Sequence, residues 1–306
     1  MKCGHWRLIA AVALVATFAC GCGDQPAVDH GGSLVSEEGQ IAFTRVTRFS
    51  TSGFKQSDIY AIDVDGSQEK RLTNSPGLDA FPAWSPDGER IAFTSARDGN
   101  WELYVMDANG SEQRRLTKTP ENEGVPAWSP DGEKIAYVTE PINEPQIYLM
   151  NADGTGHEWL VDGNWPTWSP DGEQICYTVY PGGAEQLARV NVDGTGNHRL
   201  TGRFLATGPN SKAAWSPDGK RIAFVSGTND ENIFIMNADG SRRTRLTDDV
   251  PGNDHWPPTW SPDSTRIAFT SDSPQGGEVY IMNSDGSGLT KLTDDPAYDA
   301  FPAWRP

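Results

Sequence analysis

A chain of 306 residues with 36% apolar and 10% aromatic content can bury a core of its own, and 11 tryptophans put bulk into that core. With 42 Asp and Glu against 25 Lys and Arg the formal charge is -17, a surface that repels phosphate backbones and anionic headgroups. Nucleic acid is thereby excluded as a partner, and cations or basic protein segments are favoured.

In chain order, Lys2 and Arg7 precede the apolar or small run 8–19, which ends at Cys20, Gly21 and Cys22. A basic head, a short apolar stretch and small residues before a break read as a secretory signal over residues 1–21. The stretch is too short to span a membrane comfortably. Residues 19–22 resemble the bacterial lipoprotein box, with Cys22 after Gly21 favoured over Cys20 as the lipidated residue; the alternative is a plain signal that releases the protein. Residues 22–38, poor in apolar side chains, read as a flexible tether. Cys176 stands in ICY where the other copies carry IAF or IAY, so it reads as a small buried apolar residue rather than half of a disulfide.

From residue 39 onward the chain repeats. AWSPDG at 83–88 returns at 127–132 and 214–219, TWSPDG stands at 167–172 and TWSPDS at 259–264, and AWRP closes the chain at 303–306. Trp84, Trp128, Trp168, Trp215, Trp260 and Trp304 are spaced by 44, 40, 47, 45 and 44 residues, a period that marks an array of supersecondary units. Residues 81–117 show the unit best: FPAWS, the turn PDG, RIAFTS, a polar loop, WELYVMD, the turn ANGS and RRLT. Short alternating segments rich in aromatic and β-branched residues, separated by Pro, Asp and Gly corners, predict four strands per unit. Six such units predict an all-β, six-bladed β-propeller over residues 39–306. The first copy begins at its second strand, near residues 40–45, and the last ends with a first strand at 301–304. These halves are expected to complete one blade and leave no open edge. Pro82, Pro126, Pro166, Pro258 and Pro302 suit an innermost strand facing the channel.

The pattern D-x-x-P-x-W-S-P-D-G, a small-aromatic strand, an IY-x-M-x-x-DG hairpin and R-L-T resembles the TolB-type propeller repeat, in all six copies of residues 40–306. The resemblance implies an envelope or periplasmic propeller that binds proteins, with a peptidoglycan-associated lipoprotein as the partner in the family's namesake. The α/β domain that precedes the propeller in that family has no counterpart in residues 1–38.

The mouth of the channel opposite the PDG turns is the expected site, because variable loops over a rigid scaffold meet ligands there. Five residues before each Trp stand Asp79, Glu123, Gly163, Asn210, His255 and Asp299. With Asp254, the set Asp79, Glu123, His255 and Asp299 forms an acidic arc, and Asn210 and Lys212 lie on the other side. The arc reads as a docking surface for a basic peptide or protein loop, as carboxylates for a calcium or magnesium ion in the channel, or as groups satisfied by turn amides and nearby cations. Phe81, Trp165, Trp256 and Phe301 near this face are expected to pack between adjacent blades, the alternative being a platform for a sugar or a partner.

No nucleophile elbow is present, and His255 is the one imidazole placed near the channel. The sequence therefore predicts a monomeric, non-enzymatic protein-binding scaffold of the bacterial cell envelope, lipid-anchored and without a cofactor. A metal-assisted hydrolase or lyase acting on a glycan or peptide is the alternative.

Overall fold

The computed structural model describes residues 39–50, 53–140, 145–202, 208–228, 231–247, 256–273 and 276–306. The signal, the tether, Cys22, Asp254 and His255 lie outside the described residues.

Six antiparallel sheets of four strands follow one another around a central channel, as the repeat predicts. Blade 2 shows the plan: Asp79–Trp84 innermost, then Arg90–Ser95, Glu102–Asp107 and the short outer strand Arg114–Arg115. Blade 1 joins the two ends of the chain. Its innermost strand Tyr298–Trp304 pairs with Gln40–Ser50 in the register Ile41 with Trp304, Ala42 with Ala303 and Arg45 with Asp299, so the ring has no free edge at its seam.

The core is divided. Among the described residues, six of the seven buried apolar clusters each combine residues of two neighbouring blades, such as Ala42, Ile59 and Leu72 of blade 1 with Trp84, Ile91 and Phe93 of blade 2. Both faces of each twisted sheet are thus covered by the next blade, which explains why no single repeat folds alone. Cys176 is fully buried between blades 4 and 5, and burial pushes its thiol up to about 12.

Each repeated motif residue has a task at these blade junctions. The indole Nε1 of Trp84, Trp128, Trp168 and Trp260 donates to the carbonyl of Ala303, Ala83, Ala127 and Ala214 on the preceding blade, at 3.2, 3.2, 3.0 and 3.0 Å. The Arg that opens the second strand covers the next blade's indole: Arg90 lies 4.8 Å from the Trp128 ring and Arg221 4.9 Å from Trp260. In the PDG turn Ser169 donates to Asp171 at 2.6 Å, and Asp171 accepts from the Glu173 amide at 3.0 Å. The second turn needs glycine twice over. Gly110 has φ 90°, and a Cβ there would lie 2.6 Å from the Leu72 carbonyl of the preceding blade.

The outer Arg-Leu-Thr segment also has a physical reason that the repeat alone does not reveal. In blade 2 the Thr117 hydroxyl accepts from the Leu103 amide at 2.9 Å and donates to Glu102 at 2.8 Å, while Arg115 pairs with the same carboxylate at 2.5 Å. The arrangement recurs with Asp58, Arg71 and Thr73, with Asn232, Arg245 and Thr247, and with Glu278, Lys291 and Thr293. It clamps the short fourth strand to the third.

Candidate binding site at the channel mouth

Backbone geometry builds the mouth. Three residues before the Trp, the innermost strand carries a bulge at which Phe81, Val125, Trp165, Lys212 and Phe301 have φ between 54° and 56°. Residues with a Cβ rarely occupy this region, which costs on the order of 1–3 kcal/mol per residue. A bulge re-aims its side chain, and here five of six blades use one to turn a side chain toward the axis. Blade 6 has Pro257 at this place, whose ring forbids positive φ; Trp256 beside it reaches the axis instead.

The result is an aromatic cluster across the channel. Phe301 lies 4.2 Å from Phe81 and 4.3 Å from Trp256 between ring centroids, and Trp165 lies 5.8 Å from Phe81 and 6.4 Å from Phe301. The four expected aromatic residues therefore come together: Phe301 meets Phe81 and Trp256 of the two adjacent blades, as packing between neighbours predicts, and Trp165 reaches Phe81 and Phe301 from the far side of the channel. Trp256 is fixed by its Nε1 donating to Tyr298 Oη at 2.6 Å, and Tyr298 donates to Asp272 at 2.5 Å. Lys212 places its ammonium 5.4 Å from the Trp256 ring centroid. Trp165 is half-buried, whereas Phe81, Trp256 and Phe301 are buried. On the turn side of the cluster lies a cavity of about 260 Å³, walled by Pro82, Pro126, Pro166, Pro258 and Pro302 as the sequence anticipates.

Of the three readings of the acidic positions, the geometry fits that of groups satisfied by nearby cations and hydroxyls, not that of a presented docking surface. Asp79, Glu123 and Asp299 are 0, 1 and 0% exposed, so at these three positions no carboxylate is presented to solvent. Their strands start beneath the loops, and the carboxylates turn inward onto partners. Asp299 receives two bonds from Arg45, Nε at 2.7 Å and Nη2 at 2.8 Å, and Arg45 also donates to Glu69 at 2.6 Å. Burial pushes the Asp299 carboxyl up, and the Arg45 guanidinium opposes that shift. Asp79 accepts from Ser95 at 2.6 Å, from Ser75 at 2.8 Å and from Arg97 at 3.1 Å. Glu123 accepts from Thr119 at 3.0 Å, but its Oε2 has no hydrogen-bond partner among the described residues, and burial pushes its carboxyl up to about 7. Of the other side, Asn210 donates to the Gly208 carbonyl at 3.1 Å.

Arg45 and Arg97 are the site residues that sequence reasoning missed. Arg45 sits in the second strand of blade 1 opposite Asp299, and the seam register could have revealed it. Arg97 lies just beyond the second strand of blade 2, in a loop whose fold no spacing predicts. Among the described residues no group of three His, Cys, Asp or Glu stands together to hold a metal ion.

The model of the TolB beta propeller domain matches residues 44–204 and 166–306. A segment of 43 residues is 49% identical to a protein TolB homolog of Chlorobium luteolum, covering 14% of this chain and 10% of that protein. The matched segment thus spans about a tenth of that relative's length. Among solved structures, TolB from Acinetobacter baumannii superposes with a TM-score of 0.77 at 25% identity, over 88% of this chain and 67% of that one. An oligogalacturonate lyase in complex with manganese shares the fold at a TM-score of 0.55 and 16% identity, over 78% of this chain and 70% of the other.

Proposed function

The chain belongs to the TolB beta-propeller domain family, and from that premise we propose that it is a non-enzymatic protein-binding scaffold of the bacterial cell envelope. The observation that carries this reading is the aromatic cluster across the channel, assembled from four different blades, with Phe81, Trp165 and Phe301 on strained bulges. Strain maintained at one end of a channel belongs to a site that needs those side chains there. Rigid aromatics on a rigid scaffold make good anchor points for a protein partner.

In this reading Trp165, with the edges of Phe81, Trp256 and Phe301, meets the partner. Asp79, Glu123 and Asp299 support the contact from behind, and Asp254 and His255 complete the acidic side. The net charge of -17 favours a partner segment that is basic and speeds its approach. Cys22 carries the lipid anchor, residues 22–38 are the tether, and the propeller works as a monomer. A peptidoglycan-associated lipoprotein of the same organism is the partner to try first.

Affinity capture from an envelope extract tests the reading. The parent should retain that lipoprotein, and Trp165→Ala should lose it while keeping its unfolding midpoint. Equal retention by both forms would remove the aromatic mouth from the account.

A further inference from the structure

Blade 3 departs from the other five at its outer edge. Its fourth strand, Glu158–Asp162, has 5 residues, whereas the outer strands of the other blades have 2 each. Where those blades carry Arg71, Arg115, Arg199, Arg245 and Lys291, blade 3 carries Trp159. Where they carry the Thr that closes the clamp, it carries Val161, and the third-strand position is Gln146, which donates outward to Asp162 at 3.1 Å. The two fourth-strand positions of the clamp have thus changed together, while Gln also stands at the third-strand position of blade 4, where Gln186 still accepts from Thr201 at 2.9 Å. In blade 3 the fourth strand is held instead by a longer ladder with a bulge between Ile147 and Tyr148.

What the change leaves on the surface is unusual for an outer edge. Natural sheets blunt exposed edges with short strands and charged side chains, as the other five blades do. Trp159 is 51% exposed, the larger of the two exposed large apolar side chains among the described residues. It ends a cross-strand row: Tyr137 pairs with Tyr148, and Tyr148 with Trp159, running from a buried ring through a half-buried one to an exposed one. Glu158 and Asp162 flank it, both exposed.

We propose that the outer strand of blade 3 is a second docking edge, which takes an extended basic segment of a protein partner as a fifth strand. Strand addition uses the edge's main-chain groups for affinity and its side chains for selection. A partner residue opposite Trp159 continues the aromatic row and is apolar, and the residues beside it are Lys or Arg, matched to Glu158 and Asp162. Charge selects this occupant over a second copy of the chain, since two such edges would bring Glu158 and Asp162 against their own kind. The edge lies on the outer rim of the ring, so the proposal stands independently of the channel.

The test uses a blocked peptide in which lysine alternates with valine around a central phenylalanine. Hydrogen exchange is followed at residues 158–162, and affinity is titrated at low and high salt. The peptide should protect those amides and bind more weakly at high salt. Trp159→Arg, which restores the basic side chain of the other blades, should weaken binding about tenfold or more. The pair Glu158→Lys and Asp162→Lys should do the same, and all these variants should keep the parent's unfolding midpoint. No protection at 158–162, protection at the channel instead, or equal binding to Trp159→Arg overturns the proposal. So does a concentration-dependent dimer that Trp159→Arg abolishes, or Trp159-dependent binding of a chitin oligosaccharide without binding of the peptide.

Discussion

The two ends of the channel use the same acidic residue types in opposite ways. On the turn face Asp87, Asp131, Asp171 and Asp263 are solvent-accessible and accept from a Ser hydroxyl and a backbone amide, which holds their carboxyls below the usual range, Asp263 down to about 2. At the mouth Glu123 and Asp299 are buried, and desolvation pushes their carboxyls up in spite of their hydrogen bonds. Sequence position alone does not separate these cases. What separates them is whether water can still solvate the charge. The exposed turn carboxylates gain bonds at little desolvation cost, whereas the buried ones depend on a neighbouring Arg or Thr.

The largest expected effect comes from breaking the mouth's ion pair. Asp299→Ala leaves Arg45 buried with only the more exposed Glu69 and, at 3.7 Å, Asp295 for partners, and should cost about 3–5 kcal/mol in denaturant unfolding. The loss falls at the seam that closes the ring, so the cooperativity of unfolding should also change; a cost near that of an ordinary surface substitution would contradict the buried pair.

Glu123→Gln sharpens the contrast through pH. With its folded pKa above the ordinary value, Glu123 contributes stability that is fully present below about 4.5 and is lost as pH rises through about 7. The parent should therefore lose on the order of 1 kcal/mol or more over that window relative to the variant. Thermal melts of both proteins across pH 4 to 8, with parallel curves, would show that Glu123 is not a desolvated carboxyl.

On the turn face the sign reverses. Asp131→Ala removes an acceptor of the Ser129 hydroxyl and the Glu133 amide and should cost about 1 kcal/mol at neutral pH. The depressed carboxyl means that this contribution is present above the ordinary Asp value near 3.8 and is lost as pH falls through the folded one. Parent and variant should converge in acid, and a constant gap would show that the turn does not depend on the ionised form.

The fold was legible because six copies of four segments fix strand number, turn positions and the seam. A PDG or DG corner states its own backbone need, so its neighbours fall into place without tertiary knowledge. The aromatic set Phe81, Trp165, Trp256 and Phe301 was legible as residues near the mouth, but its convergence was not. That convergence depends on bulges at φ near 55°, which Val125 and Phe301 enter against their own preference. The three readings of the carboxylates stayed open in the sequence because position in the repeat says that Asp79 and Asp299 lie at the start of an innermost strand, not which way their side chains turn. Arg45 and Arg97 decide that, and both act across strands or loops.

The central claim is that the mouth contacts a partner through aromatic side chains while its carboxylates act from within. Calorimetric titration of the peptidoglycan-associated lipoprotein into the parent, Trp165→Ala and Asp79→Asn tests it most directly. The account predicts that Trp165→Ala weakens binding about tenfold or more at unchanged stability, and that Asp79→Asn loses stability while keeping its affinity. Affinity lost with Asp79→Asn and kept with Trp165→Ala would contradict it.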